Sequence, residues 1–581
     1  MRILLVASAF SSLTQRVFAE LGDRGHTVAV TVVDGEEAVR AAVRRHPADL
    51  IIAPMLRTAI PRDIWSRHTC LVVHPGPPGD RGPSSLDRAL HDGEAQWGVT
   101  VLQAEEEMDA GAVWADAAFA VPGDVAKSDL YRGELADAAV RAVLLAVERY
   151  ASCRWMPRSQ DGLPVRTRTY LRQEERRIDW ESMPTESVLR ALRAADSQPG
   201  VRDELLGDEW FLHGGHPEDR LRGTPGTVLA TRSGAICRAT ADGAVWIPEL
   251  RRCRTRTDPP GIKLPATLAL GERLPPVPDL PAPLEPPPGP APRTWSDIRY
   301  TECGAVGFLR FRFPGGAMST AHCRRLLTAY RDACRRPTSV LVLGGERDFF
   351  SNGIHLNVIE AAADPAAESW ANINAMDDLV EAVLTTTDRL VVAAVAGNAA
   401  AGGAMLALAA DEVWCRDGAV LNPHYRLMGL YGSEYWTCTL PRRVGAQQAT
   451  ALMEQAAPVS AARAHTLGLV DRLVGSPPGE FAAATARMAA ELTRHTDVSA
   501  RIAAKKAARE RDEQTKPLAS YRAEELRRMR ATFFTPDAPY HALRSAFVRK
   551  QPTPEAAEHL AALSHLRLRP HPVRSTAEQP L

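Results

Sequence analysis

The sequence predicts a multidomain α/β protein, and three observations carry that prediction. Short apolar runs alternate with helical-period segments over residues 1–155, the same alternation returns after residue 295, and a proline-dense stretch lies between them. Strands that alternate with helices build parallel sheets, because each crossover helix covers a sheet face. A chain of 581 residues has material for several cores.

In the first segment the strands fall at Ile3–Ala7, Val28–Val33, Leu50–Ala53 and Leu71–Val73, with helices over Ser12–Leu21 and Glu36–Arg45. The opening run MRILLVASAF reads as a first strand rather than a signal peptide. No GxGxxG follows it, so a dinucleotide site has little support. Ligands of such sheets bind beyond the carboxyl ends of the strands. His74 stands at one such end, before the Pro/Gly-rich loop PGPPGDRGP, and Ser84-Ser85 signals the start of a helix. WGVTVLQAEEEMDAGAVW reads as strand, acidic loop and strand, with Asp109 in the loop. A carboxylate there can orient the imidazole or share its proton; a purely structural histidine is the plain alternative. A helix bearing Leu135, Val140, Leu144 and Val147 on one face closes the segment.

In a middle domain over 160–273, YLRQEERRIDW and Val188–Ala195 precede a β-patterned region with turns at Thr224-Pro225-Gly226 and Asp242-Gly243. Residues 274–294 are a proline-rich, extended, semi-rigid spacer. Beyond it come a strand at Ala305–Phe311, a helix at Thr320–Cys334, a strand at Val340–Leu343 and a helix at Glu368–Thr385, within a domain over 295–545. The uncharged run from Leu390 to Ala410 has about the length of a membrane span. Its Gly397, Asn398, Gly402 and Gly403 suit a strand–turn–helix unit better, so a soluble, cytoplasmic protein is expected. In NPHYRLMGLYGSEYWTCTLPRR, Tyr425, Tyr431 and Tyr435 surround Glu434 in a chain that is only 6% aromatic. Read alone, that cluster is either packing or a proton-transfer site. The charged helical stretch after residue 500 reads as a solvated face, with Lys505 and Lys506 as candidates for meeting phosphates, and residues 546–581 as a peripheral tail.

Lys+Arg and Asp+Glu balance at 70 each, which gives no field for nucleic acid. The nine cysteines form no CxxC pair and no Cys/His spacing of a zinc site, so free thiols and no metal are expected.

His74, Arg81-Gly82, Gly98-Val99-Thr100 and Asp109-Ala110-Gly111, in that order and spacing, resemble the 10-formyltetrahydrofolate-dependent formyltransferases. The resemblance implies catalytic roles for His74 and Asp109, folate-binding positions at Arg81 and Gly82, and an OB-like β-barrel for the middle segment. The family's Asn two residues before the histidine is Val72 here. FSNGIHL and AAAGGAM are similar to the crotonase (enoyl-CoA hydratase/isomerase) superfamily. There the resemblance implies an acyl-CoA site with oxyanion donors at the N–H groups of Ile354 and Gly402, and Gly403 as a further cofactor-binding position. Of the two hydratase glutamates, the first corresponds to Met405 and the second to Tyr425, which argues against hydration.

Together with SAFSSLTQRV, where Ser11 replaces an expected Asn, and GLYGSEYWT, this pairing of domains resembles the HypX/HoxX family of [NiFe]-hydrogenase maturation factors. That resemblance implies formyl transfer from N10-formyltetrahydrofolate to coenzyme A, then decarbonylation of formyl-CoA to CO, with Tyr425, Glu434 and Tyr435 as the acid–base candidates. Hydrogenase maturation proteins that deliver the iron cofactor would be the protein partners. Two other readings stand beside it: another acyl-CoA reaction such as deacylation, or a non-catalytic folate- and CoA-binding assembly protein.

Overall fold

The computed structural model describes residues 1–254, 261–285, 292–494 and 497–566. In the first domain β1 (Arg2–Ala7), β2 (Thr27–Val32), β3 (Leu50–Pro54), β4 (Cys70–His74), β5 (Gln96–Gln103) and β6 (Val113–Ala120) form one sheet in the order β2-β1-β3-β4-β5-β6. The expected parallel sheet holds for β2-β1-β3-β4, whereas β5 and β6 add on antiparallel. A tight acidic loop cannot make a parallel crossover, so it returns the chain as a hairpin. That hairpin sets His74 opposite Thr100. Ser11 caps α1 (Ser12–Asp23) by accepting the Thr14 N–H. The helix expected at Ser84 runs over Ser85–Asp92 (α2), but Ser84 sits at φ 64° and makes no side-chain cap; its Oγ accepts the Leu171 N–H instead. Residues 136–152 form the helix that closes the domain.

The middle domain is two four-stranded antiparallel sheets built on a shared core of Trp210, Leu212, Ile236, Val245 and Leu250. The spacer is extended but docked. Asp279 pairs with Thr231, the Leu280 N–H donates to Thr231 O at 2.8 Å, and the Tyr300 N–H donates to Leu284 O at 2.7 Å. Proline leaves carbonyls free to accept, so such a strip can add to a sheet edge without being a strand. Residues 286–291 of the predicted spacer lie outside the described residues.

In the third domain β7 (Ile298–Cys303), β8 (Val306–Phe311), β9 (Val340–Gly344), β10 (Leu390–Val395), β11 (Glu412–Arg416) and β12 (Arg472–Val474) form a sheet in chain order, parallel beyond its first hairpin. The uncharged run is the predicted strand–turn–helix: β10, then α3 (Gly402–Leu408). No helix among the described residues is long and apolar enough to cross a membrane.

The first and third domains meet through ion pairs. Arg132 grips both oxygens of Asp348 at 2.7 and 2.8 Å, Arg347 reaches Glu134 at 2.6 Å, and Arg416 reaches Asp137 at 2.9 Å. Lys505, a candidate for phosphate binding, is committed to Asp411 at 2.6 Å and to the Arg389 carbonyl at 3.0 Å. The tail is not peripheral as far as residue 566. Its helix Pro554–Leu563 crosses back to β2, Leu563 is buried in the core of the first domain, and Ser564 Oγ accepts the Val30 N–H. Residues 567–581 of the predicted tail lie outside the described residues. Removing the Leu563 side chain should cost about 2–5 kcal/mol locally. Leu563→Ala is therefore expected to speed amide exchange along β2 without changing it in β9.

Candidate functional site

Two sites can be built from the residues upward. In the first, β4 delivers His74 and the hairpin loop after β5 delivers Asp109, itself held at φ 58°. His74 Nδ1 lies 3.4 Å from Asp109 Oδ1. Its Nε2 lies 3.1 Å from Asp80 Oδ2, a carboxylate the sequence reading did not single out. Asp80 is fully enclosed, taking Ser85 Oγ–H at 2.6 Å and Arg168 Nε–H at 2.5 Å. Gly82, at φ 102°, donates its N–H to Asp109 Oδ2 at 3.0 Å, and a side chain there would strike the Arg168 carbonyl. Arg81 is paired with Glu107 at 2.5 Å. Gln160 ties the site together, donating to the carbonyls of Asp109 and Gly111 and accepting the Gly79 N–H.

Burial disfavours an imidazolium at His74, but the carboxylates of Asp109 and Asp80 outweigh it and bring the pKa up to about 9. Asp109 is correspondingly held below the usual carboxylate range, its burial outweighed by His74. The ring is therefore a cation at neutral pH. Val72, on β4, packs against the apolar layer formed by Leu4, Val6 and Ile51 and offers no donor.

In the second site three backbone segments converge. Loop 349–354 is tied to 398–400 by Phe350 N–H to Asn398 O at 3.0 Å and Ala400 N–H to Ser351 O at 2.9 Å. Gly353, at φ 77°, lies so close to Gly402 that a Cβ on it would come within 3.1 Å of the Gly402 nitrogen. Among the described residues the N–H groups of Ile354 and Gly402 find no acceptor. Gly403 faces the Ser351 carbonyl, where a Cβ would sit at 2.1 Å, so its smallness serves packing of α3 on the loop.

Glu434 closes the site. A Cβ on Gly402 would overlap its Oε1, so the carboxylate rests directly on the glycine. Tyr425 Oη–H and the Ser433 N–H donate to Glu434 Oε2 at 2.8 and 3.0 Å. The aromatic cluster of the sequence resolves unevenly around it. Tyr425 alone of the three tyrosines bonds the carboxylate; Tyr431 packs on Trp436 and under Arg528, and the buried Tyr435 hydroxyl finds no hydrogen-bond partner among the described residues. Met405 is buried in the core.

Burial, followed by the charge of Asp377, lifts the Glu434 carboxyl to about 8, and burial keeps the Tyr425 phenol well above its usual value. Two further carboxylates went unremarked in the sequence: Asp377, whose Oδ1 accepts Ser433 Oγ–H and Glu434 N–H at 2.6 and 2.8 Å, and Glu525, which accepts the N–H groups of Tyr435 and Thr437, each at 2.9 Å. A signal existed. Each stands on the apolar stripe of its helix, Asp377 with Ile373 and Val380, Glu525 with Leu518 and Met529, and a charge there has to be paired. A cavity of about 480 Å³ opens beside Tyr425, lined also by Leu430, Tyr431, Trp436 and Met453.

Comparison with known proteins agrees with this division. Residues 29–147 match the formyl transferase family, 170–258 the formyl transferase C-terminal domain and 306–552 the enoyl-CoA hydratase/isomerase family. Methionyl-tRNA formyltransferase of Burkholderia pseudomallei is 28% identical over 257 residues, 42% of this chain and 76% of that protein. A crystal structure of HypX from Aquifex aeolicus in complex with tetrahydrofolic acid superposes with a TM-score of 0.91 at 42% identity, covering 96% of this chain and 98% of that one. Hydrogenase maturation factor HoxX of Bradyrhizobium diazoefficiens is 47% identical over 555 residues, 95% of both chains. With identity spanning nearly the whole of both proteins, this chain belongs to the HypX/HoxX family of hydrogenase maturation factors.

Proposed function

We propose that this protein makes carbon monoxide for hydrogenase maturation in two steps: formyl transfer from N10-formyltetrahydrofolate to coenzyme A, then decarbonylation of the formyl-CoA. The observation that carries the reading is the second site. A carboxyl whose pKa lies near 8 rests on the backbone of a thioester-type oxyanion pocket, bonded to a phenol that stays protonated.

In the first step the CoA sulfur attacks the formyl carbon, the C–S bond forms and the bond to N10 breaks. The His74 cation stabilises the oxygen of the tetrahedral intermediate, a charge that compensates for the neutral amide missing at Val72. Asp109, fixed by the Gly82 N–H, relays the thiol proton toward the leaving nitrogen. The bound folate of the Aquifex relative supports the donor assigned to this domain.

In the second step the N–H groups of Ile354 and Gly402 hold the carbonyl oxygen of formyl-CoA. The ionised Glu434 takes the formyl hydrogen as a proton. The C–H pair stays on carbon as the lone pair of CO, and the C–S pair leaves with sulfur. Tyr425 protonates the thiolate and recovers its proton from Glu434 along their hydrogen bond, so formyl-CoA becomes CO and CoA with nothing left over. The cavity beside Tyr425 has room for the thiol end of the CoA arm. Tyr435, whose hydroxyl makes no hydrogen bond to the Glu434 carboxylate among the described residues, is given no part in these transfers.

CO captured by reduced haem reads the reaction out. It should require both formyl donor and CoA; CO formed without CoA would overturn the thioester route. Tyr425→Phe removes the acid and is expected to lower CO output about 10²-fold, while tetrahydrofolate still appears at the parent's initial rate.

A further inference from the structure

Glu434 and Tyr435 both hold left-handed backbone conformations, each at φ 59°. Two successive side-chain-bearing residues in that region carry strain that the surroundings have to hold in place. The clamps are visible. From the helix Pro365–Thr385, Asp377 Oδ1 takes the Glu434 N–H and the Ser433 hydroxyl. From the helix Leu518–Phe534, Glu525 takes the N–H of Tyr435 with Oε2, and the N–H and hydroxyl of Thr437 with Oε1. Both carboxylates are fully buried, each on a helix face that also carries buried apolar residues, Leu379 and Val380 beside Asp377 and Leu526 and Met529 beside Glu525. Apolar residues at these two places would pack without the cost of burying charge, so the charges need a reason.

We propose that Asp377 and Glu525 are positioning residues for Glu434: they fix the left-handed turn that lays its carboxylate on Gly402. The role in catalysis rests on the reading of Glu434 as the base that acts on formyl-CoA. The charged and titratable groups facing Glu434 are Tyr425 from its own loop, Asp377, Glu525 and Cys323 from the packed helices, and Arg522 behind Asp377 at 3.8 Å. Arg522 is shared with Asp378 and Glu381 at 2.6 and 2.9 Å, so it does not neutralise Asp377 alone. Like charge and burial both favour the protonated form of Glu434. A base of high proton affinity is what abstraction of a formyl hydrogen demands.

The test is infrared titration of the full-length protein. The Glu434 carboxyl stretch is assigned by difference against Glu434→Gln and followed from pH 5 to 10. Asp377→Asn keeps the accepting oxygen and removes the charge, and should move the Glu434 titration down by about one pH unit or more. Glu525→Gln should move it in the same direction and also weaken CO release, since the Tyr435 N–H loses its acceptor. An unmoved titration in both variants overturns the proposal, and if Asp377→Asn does not fold, Glu525→Gln decides alone. CO release from added formyl-CoA is measured on the same samples. If Glu434→Gln still releases CO at the parent rate, the catalytic reading of Glu434 falls whatever the titration shows. If Glu434→Gln is silent and the titrations stay fixed, only the positioning proposal falls.

Discussion

Glu434→Gln is expected to lower CO release at least 10³-fold while formyl transfer to CoA continues, so that formyl-CoA accumulates. The amide preserves the size of the side chain and can accept from Tyr425, but it cannot take the formyl proton. Loss of a positioned general base typically costs about 10²–10⁴ in rate. The upper half of that range is expected because the C–H of a thioester-bound formyl group is a poor acid and the atoms nearest to a Cβ on Gly402 all belong to Glu434. In the parent, CO release should climb as pH rises through about 8, where the Glu434 carboxylate becomes available. Stability runs the other way. A carboxyl whose folded pKa is raised binds its proton more tightly when folded, so its stabilising effect is lost as pH rises from the ordinary carboxylate range through about 8. Glu434→Gln escapes that loss and should unfold at an equal or higher temperature than the parent at pH 8, which separates lost chemistry from lost fold.

The second large effect is expected at the other end of the molecule. His74→Asn should abolish formyl transfer, with tetrahydrofolate formation down about 10³-fold or more, while formyl-CoA supplied directly still yields CO. In the proposed first step His74 contributes positive charge beside the oxyanion, its ring nitrogens being engaged by Asp109 and Asp80, and one oxyanion stabiliser is typically worth about 10²–10³. Asp80 is what separates this site from a plain His–Asp pair: it contacts the second ring nitrogen at 3.1 Å. Above pH 9 His74 loses its proton and formyl transfer should fall, so the two proposed steps are expected to have opposed pH dependences. Product analysis at pH 6.5 and 8.5 checks this; formyl-CoA should build up at the lower value.

Much of this was legible in the residues. Alternating apolar runs located the first four strands and the helix Glu36–Arg45, because burial on both faces leaves a periodicity that loops do not share. The order of His74, Gly82 and Asp109 pointed to one candidate site, and FSNGIHL with AAAGGAM pointed to the other. What stayed hidden depends on contacts between residues far apart in sequence. Asp80 meets His74 only because the loop after β4 folds back on its own strand, and Glu525 lies 90 residues from the Tyr435 N–H it accepts. The spacer's docking and the return of Leu563 to the first sheet are likewise products of packing, which composition does not encode. Tyr431 and Tyr435 stand in sequence as Tyr425 does, and which of the three meets the carboxylate depends on backbone turns such as the left-handed one at Glu434 and Tyr435.

The most direct test follows the formyl carbon itself. Full-length protein is given N10-[13C]formyltetrahydrofolate and unlabelled CoA in a sealed cell containing reduced haem, and the infrared band of the haem-bound CO is read against 13C NMR of the solution. The expected result is 13CO in one-to-one ratio with tetrahydrofolate, with CoA recovered as free thiol. Label recovered as [13C]formate, with CoA unchanged and no 13CO band, would contradict the account.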